Sequence, residues 1–88
     1  GSTLNHLLWY AADMRTSTIT QEAIMSVAIA GAAASDNDSA NNQNTDGSTH
    51  AYFAYATSVA NGATHTLKYR VTGGTGNFGF RRLVVTTT

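Results

Sequence analysis

Between Thr64 and Thr72 the chain alternates: Leu67, Tyr69 and Val71 fall on one side, and Thr66, Lys68, Arg70 and Thr72 on the other. A period of two is what a strand with one buried face produces. A glycine-rich stretch, Gly73 to Asn77, follows, and then a second β-prone run from Phe78 to Thr86. The spacing predicts a closing β-hairpin with a flexible tip, and hence a small all-β module.

Other segments agree with that class. Residues 4–12 are aliphatic and aromatic and read as a strand. So do residues 50–59, which carry Tyr52, Phe53 and Tyr55. Asn61-Gly62 between strands predicts a type I′ turn, in which both central residues take positive φ. Residues 50–59, 64–72 and 78–86 are therefore expected to form an antiparallel meander. The segment 18–34 admits two readings. As a helix it would start at Thr20 as N-cap with Glu22 in the first turn. As a strand it would point Met25, Val27 and Ile29 inward and Ser26, Ala28 and Ala30 outward, with Gly31 marking a turn. The β-branched Ile24, Val27 and Ile29 favour the strand. Residues 35–49 contain no apolar residue other than alanine and are dense in Asp, Asn and Ser. That composition predicts a long loop.

Eighty-eight residues suffice for one domain with a modest core. The absence of cysteine excludes disulfides and thiolate metal sites. That leaves assembly into an oligomer as a common way to supplement the core. Net charge is zero and only 11% of residues are charged, which speaks against nucleic-acid binding. The charges are segregated. Asp13, Glu22, Asp36, Asp38 and Asp46 precede position 47, whereas Lys68, Arg70, Arg81 and Arg82 follow it. They can balance within one subunit or across a subunit boundary. No run of about eighteen apolar residues exists, so membrane insertion is not expected. The apolar run 23–34 lacks the basic flank of a signal peptide. Gly1-Ser2 reads as a cloning scar, leaving 3–88 as the expected domain.

Catalytic and metal motifs are weak. Gly74 to Gly79 fits the dinucleotide spacing GxGxxG, yet Phe80 to Val85 after it is strand-like, whereas that site needs a helix. His6, His50 and His65 lack close ligand spacing. One histidine per subunit could still meet on a trimer axis. Asn37-Asp38-Ser39 matches the glycosylation sequon, without a secretion signal to support it. Trp9, Tyr10, Tyr52 and Tyr55 could stack on sugar rings or pack the core. Arg81 and Arg82 are adjacent and must split across the two sheet faces, with an inward one requiring a partner.

Read in order, several features resemble the C-terminal β-sandwich knobs of bacteriophage tail fibres and related trimeric virion proteins. They are a segment ending Ile29-Ala30-Gly31, the Asn/Asp/Ser-rich loop, the strand Thr64 to Val71, the Gly/Thr/Asn tip, and the run Arg81 to Val85. Together they span about two-thirds of the chain. The resemblance implies a small antiparallel, jelly-roll-like sandwich, a homotrimer, a place on the virion, and contact with a bacterial surface polysaccharide or receptor. No cofactor, metal or catalytic residue is expected. The residues expected at the ligand are Asp36, Asn37, Asp38, Asn41, Asn42 and Asn44 of the loop, with Trp9 and Tyr10 as stacking platforms. The alternative is a structural trimerisation or capsid-decoration module, with Trp9, Tyr10 and Phe53 or Tyr55 in subunit contacts. An enzyme is not expected, because sugar hydrolysis needs two carboxylates at fixed separation. Asp36 and Asp38 share a loop, and Glu22 is the only glutamate.

Overall fold

Strand β1 (Thr3–Thr16) organises the molecule, which is known from a computed structural model describing residues 2–88. Gly1, half of the dipeptide read as a scar, lies outside the described residues. The strand outruns its expected end at Ala12 because Asp13 and Arg15 fall on its outer side, where charge is tolerated. On its inner side His6, Leu8, Tyr10, Ala12, Met14 and Thr16 are all buried. Strand β2 (Ala23–Ala28) is the centre of a second layer, so 18–34 holds a strand and the helix reading falls. Strands β3 (Ala40–Asn42), β4 (Ser48–Ala60), β5 (Thr66–Val71) and β6 (Gly76–Thr87) complete the set.

Two antiparallel three-stranded sheets result, ordered β4-β1-β6 and β3-β2-β5, and they pack as a small all-β sandwich. Three strands per sheet is fewer than the four of a full jelly roll. One core joins Leu8, Tyr10, Ala12 and Met14 to Ala23, Met25 and Val27, with Ala40 and Ala54 at its margin. Leu67, Tyr69 and Val71 point into it as the alternation predicts, and Phe78 and Leu83 close it from β6.

The pairing corrects three expectations. The meander does not form: β4 and β6 flank β1 in one sheet, while β5 pairs with β2 in the other. The stretch Gly73–Thr75 therefore carries the chain between layers and is not a hairpin tip; Ser17 N–H holds it by donating to the Thr75 carbonyl at 2.8 Å. The Asn61-Gly62 turn is likewise a crossing. Gly62 alone has positive φ (86°), so it is not a type I′ turn. Finally, residues 35–49 are not one loop. They hold a 3₁₀ turn at Asp36–Asp38, strand β3, and the start of β4.

The central strand of sheet β3-β2-β5 is covered on both sides, while Asn41, Lys68 and Arg70 on its flanks stay exposed. Ser26 and Ala28, expected outward, are nevertheless buried along with Ile24. Residues 34–36 lie over them: Ser26 Oγ donates to the Ser35 carbonyl at 2.6 Å, and Arg70 bridges to Asp36 at 2.6 Å. Ile29, expected inward, is partly buried against the core at the start of a 3₁₀ turn that ends at Gly31. The outer side of sheet β4-β1-β6 has no such cover.

Candidate functional site

On that uncovered side, residues of like parity line up across the three strands. Trp9 sits between Phe53 of β4 and Val84 of β6, Ala11 between Ala51 and Arg82, and Asp13 between Thr49 and Gly79. Leu7 lies between Tyr55 and Thr86. Trp9 and Phe53 have ring centroids 5.0 Å apart. Trp9, Phe53, Tyr55 and Val84 are 49%, 50%, 58% and 58% exposed. A protein surface rarely concentrates large apolar side chains in this way without a contact to make.

A trough runs along this face. Three adjoining depressions of about 260, 320 and 260 Å³ share Asp13 and Phe80, then Ala11 and Arg82. Ala11, Ala51 and Gly79 make the floor, and a Cβ added at Gly79 would meet open space. Trp9 and Val84 stand at one end, Arg15 and Asn77 at the other. From Trp9 to Arg15 the strand rise gives a length of about 20 Å.

Phe80 owes its position to a β-bulge. The β1–β6 register slips between Ala11 and Asp13, so Phe80 and Arg81 together oppose Ala12. Phe80 takes φ 49° and is turned out to 79% exposure. A bulky side chain in the left-handed region costs of order 1–3 kcal/mol, and bulges commonly re-aim a side chain beside a site. Arg81, on the inner side, finds a ring and not a carboxylate, its guanidinium lying 5.5 Å from the Tyr69 centroid. Arg82 stays outside, facing the trough. Asp13 accepts from Thr49 Oγ1, which orients its carboxylate toward the same space.

The residues expected at a ligand fare differently. Trp9 lines one end of the trough. Tyr10 is 2% exposed and faces the core, where its hydroxyl donates to the Asp38 carbonyl and burial raises its pKa above the usual phenol value. Asn42 is 4% exposed and donates from Nδ2 to the Met14 carbonyl at 2.7 Å, so it ties the sheets together. Neither Tyr10 nor Asn42 offers a surface to a ligand. Asp36 is engaged by Arg70, and Asn37 N–H and Ser39 Oγ bond within the turn. Asp38 gives its carbonyl to Tyr10, and Asn44 N–H donates to Asn42 Oδ1 at 3.0 Å. Asn41 is exposed on the short β3. Of the six loop residues, only Asp36 and Asn42 commit their side chains to such bonds, whereas the bonds of Asn37, Asp38 and Asn44 run through backbone atoms. Asp13, Phe80, Gly79 and Arg82 were not expected at a site.

Two histidine arrangements bear on chemistry. His65 Nδ1 accepts the Ala30 N–H at 3.0 Å, which places its proton on Nε2. That proton is donated to His6 Nδ1 at 2.8 Å, so His6 carries its own on Nε2, buried and without a partner, since a neutral imidazole holds one donor and one acceptor. Burial and the neighbouring His6 lower the His65 pKa below the usual histidine range. His50 Nε2 lies 2.8 Å from Ser48 Oγ, the spacing of a nucleophile and its base. Asp13 cannot orient this imidazole, since it pairs with Thr49 on the opposite side of the sheet. Among the described residues no three His, Cys, Asp or Glu side chains converge as metal ligands, and no helix is long and apolar enough to cross a membrane. Comparison with protein-family models, curated proteins and solved structures found no match to this chain.

Proposed function

We propose that this protein is a non-catalytic binding module of the fibre-tip kind, whose ligand is an extended surface glycan lying in the trough of sheet β4-β1-β6. The observation that supports it is the pairing of aromatic walls, Trp9 and Phe80, with Asp13 and Arg82 over a floor of alanine and glycine. Aromatic rings suit the apolar faces of pyranoses, while a carboxylate and a guanidinium serve the hydroxyls through charge-assisted hydrogen bonds. Such sites are weak singly, and several copies on one particle would raise binding by avidity.

The test is an array of bacterial surface polysaccharides probed with four proteins. The wild type should bind at least one glycan. Trp9→Ala and Gly79→Leu should lose that binding at least tenfold with the fold intact, the second because its side chain fills the trough. The double variant Asn41→Ala/Asn44→Ala should bind as the wild type. Loss in the loop variant with retention in Gly79→Leu would return the site to the loop and sink this reading.

Phe53 and Tyr55 lie beyond the lining of the trough and are as exposed as Trp9. They favour a second reading, an assembly module in which this face meets other subunits. A flat glycan array together with a salt-resistant oligomer, lost in Phe53→Ser, would select it.

A further inference from the structure

Strand β4 presents a free edge, and its chemistry differs from the other three edges. Asn5 and Thr88 exchange both backbone hydrogen bonds, at 3.1 and 2.9 Å. In an antiparallel ladder the bonded pairs recur every second residue, so Leu7, Trp9 and Ala11 spend their N–H and C=O on β6. His6, Leu8, Tyr10 and Ala12 then spend theirs on β4, opposite Ala56, Ala54, Tyr52 and His50. The backbone groups of Thr49, Ala51, Phe53 and Tyr55 consequently point away from β1, along the outer edge of the sheet.

Native sheets guard such edges with charge, brevity or bulges. Strand β3 has three residues. Strand β5 has six and carries Lys68 and Arg70. Strand β6 is interrupted at Phe80 and carries Arg81 and Arg82. Strand β4 runs for thirteen residues with no Asp, Glu, Lys or Arg, and its one bulge, at Ser58, lies near its end.

We infer that the β4 edge is a dimer interface, filled by β4 of a second copy of this chain running antiparallel. The sequence of the edge matches itself. A two-fold axis at Phe53 sets Ala51 of one copy against Tyr55 of the other, small against large, and Thr49 against Thr57. The absence of those charges leaves nothing to repel an identical strand. The product is a six-stranded sheet, β6-β1-β4-β4-β1-β6, closed by an isologous contact. Trp9 and Phe53 of the two copies extend into one aromatic row, and both troughs open on the same side. The inference does not depend on what the trough binds.

Light scattering over a dilution series from millimolar to micromolar tests it. The wild type should reach twice its 9.2 kDa mass. Ala51→Pro removes an N–H that β1 does not use, and should weaken dimerisation at least tenfold while the circular dichroism stays β. Tyr55→Lys places a charge on the edge at an exposed position and should act likewise; it decides the matter if the proline variant does not fold. Backbone amide exchange at Phe53 and Tyr55 should slow at least tenfold on concentration. A monomer at millimolar concentration, or an oligomer of any order that Tyr55→Lys leaves unchanged, would overturn the interface. Because the readout is mass, its failure is separate from a failure of glycan binding.

Discussion

The outer sides of the two sheets are opposites. On β2, Ile24, Ser26 and Ala28 are 6%, 5% and 6% exposed, whereas Trp9, Phe53 and Val84 across β1 are about half open to solvent or more. The covered side is the less apolar one, with a serine and an alanine under a strip of the chain's own polar turn. The uncovered side holds several of the largest apolar side chains on the surface. The difference is that the first sheet leaves its apolar side open to solvent, and the binding proposed above would use that side.

The comparison is broken most severely by placing a charge on each side. Ile24→Asp puts a carboxylate under the 34–36 strip, where it competes with Asp36 for the cross-strand Arg70 and leaves the space of the Ile24 side chain unfilled. Truncating a buried isoleucine alone costs about 2–5 kcal/mol, a large part of the stability of a small domain. Thermal or urea unfolding should lose its cooperative transition or shift it to much lower denaturant. Trp9→Asp, at a half-exposed position, removes the cross-strand packing on Phe53 and Val84, about 0.2–1 kcal/mol for each pair. Similar midpoints for the two variants would mean that the two sides are equally solvated, and the contrast would collapse.

The same contrast explains what was legible in the sequence. Alternation exposed the strands themselves: Leu67, Tyr69 and Val71 point inward as read, because a period of two depends only on one side being dry. It could not say which strands pair. The Gly-rich crossing after β5 and the Asn61-Gly62 turn have hairpin composition, but β5 finds the uncovered flank of β2 instead of β6. That choice is made by long-range packing against Met25 and Val27. Nor could composition separate Asn42 from Asn41 and Asn44. All three sit in one polar run, and only the Met14 carbonyl, 28 residues away, makes Asn42 structural. The trough was hidden for a related reason. Asp13 breaks the apolar run of β1 and looked like its end, whereas it continues the outer row begun by Leu7, Trp9 and Ala11. Phe80 depends on a bulge that no local pattern announces.

A smaller effect comes from the inner side, where β1 carries a polar pair into the protein. His6 and His65 share one proton between facing nitrogens, and His65 accepts from Ala30 at its other nitrogen. Adding a proton to His65 turns its Nδ1 acceptor into a donor that faces the Ala30 N–H. The folded pKa of His65 is lowered, so near and below the ordinary histidine value the unfolded chain binds more protons. Stability from this pair is therefore fully present above about pH 6.5 and is lost as pH falls through the lowered folded pKa. The urea midpoint should be flat from pH 8 to 7 and decline as the pH falls below about 6.5. His65→Gln should flatten that decline. A wild-type midpoint constant from pH 8 to 5 would show that the pair does not hold in solution.

The smallest effect concerns how the covered side stays covered. Arg70 and Asp36 both have largely exposed side chains, and solvent screens such a pair. Their bond nevertheless lies at the strip over Ile24, where the Asp38 N–H donates to the Ser35 carbonyl at 3.2 Å. Arg70→Ala should leave the global unfolding midpoint unchanged, because Ser26 still holds the Ser35 carbonyl. Local opening is a different matter, since a strip tied by few bonds can lift without the sandwich coming apart. Amide exchange at Asp38 should quicken in Arg70→Ala, and high salt should quicken it in the wild type toward the variant's rate. Exchange that ignores both the substitution and the salt would mean that Ser26 alone keeps the strip in place, and that the ion pair is incidental to the contrast between the two sides.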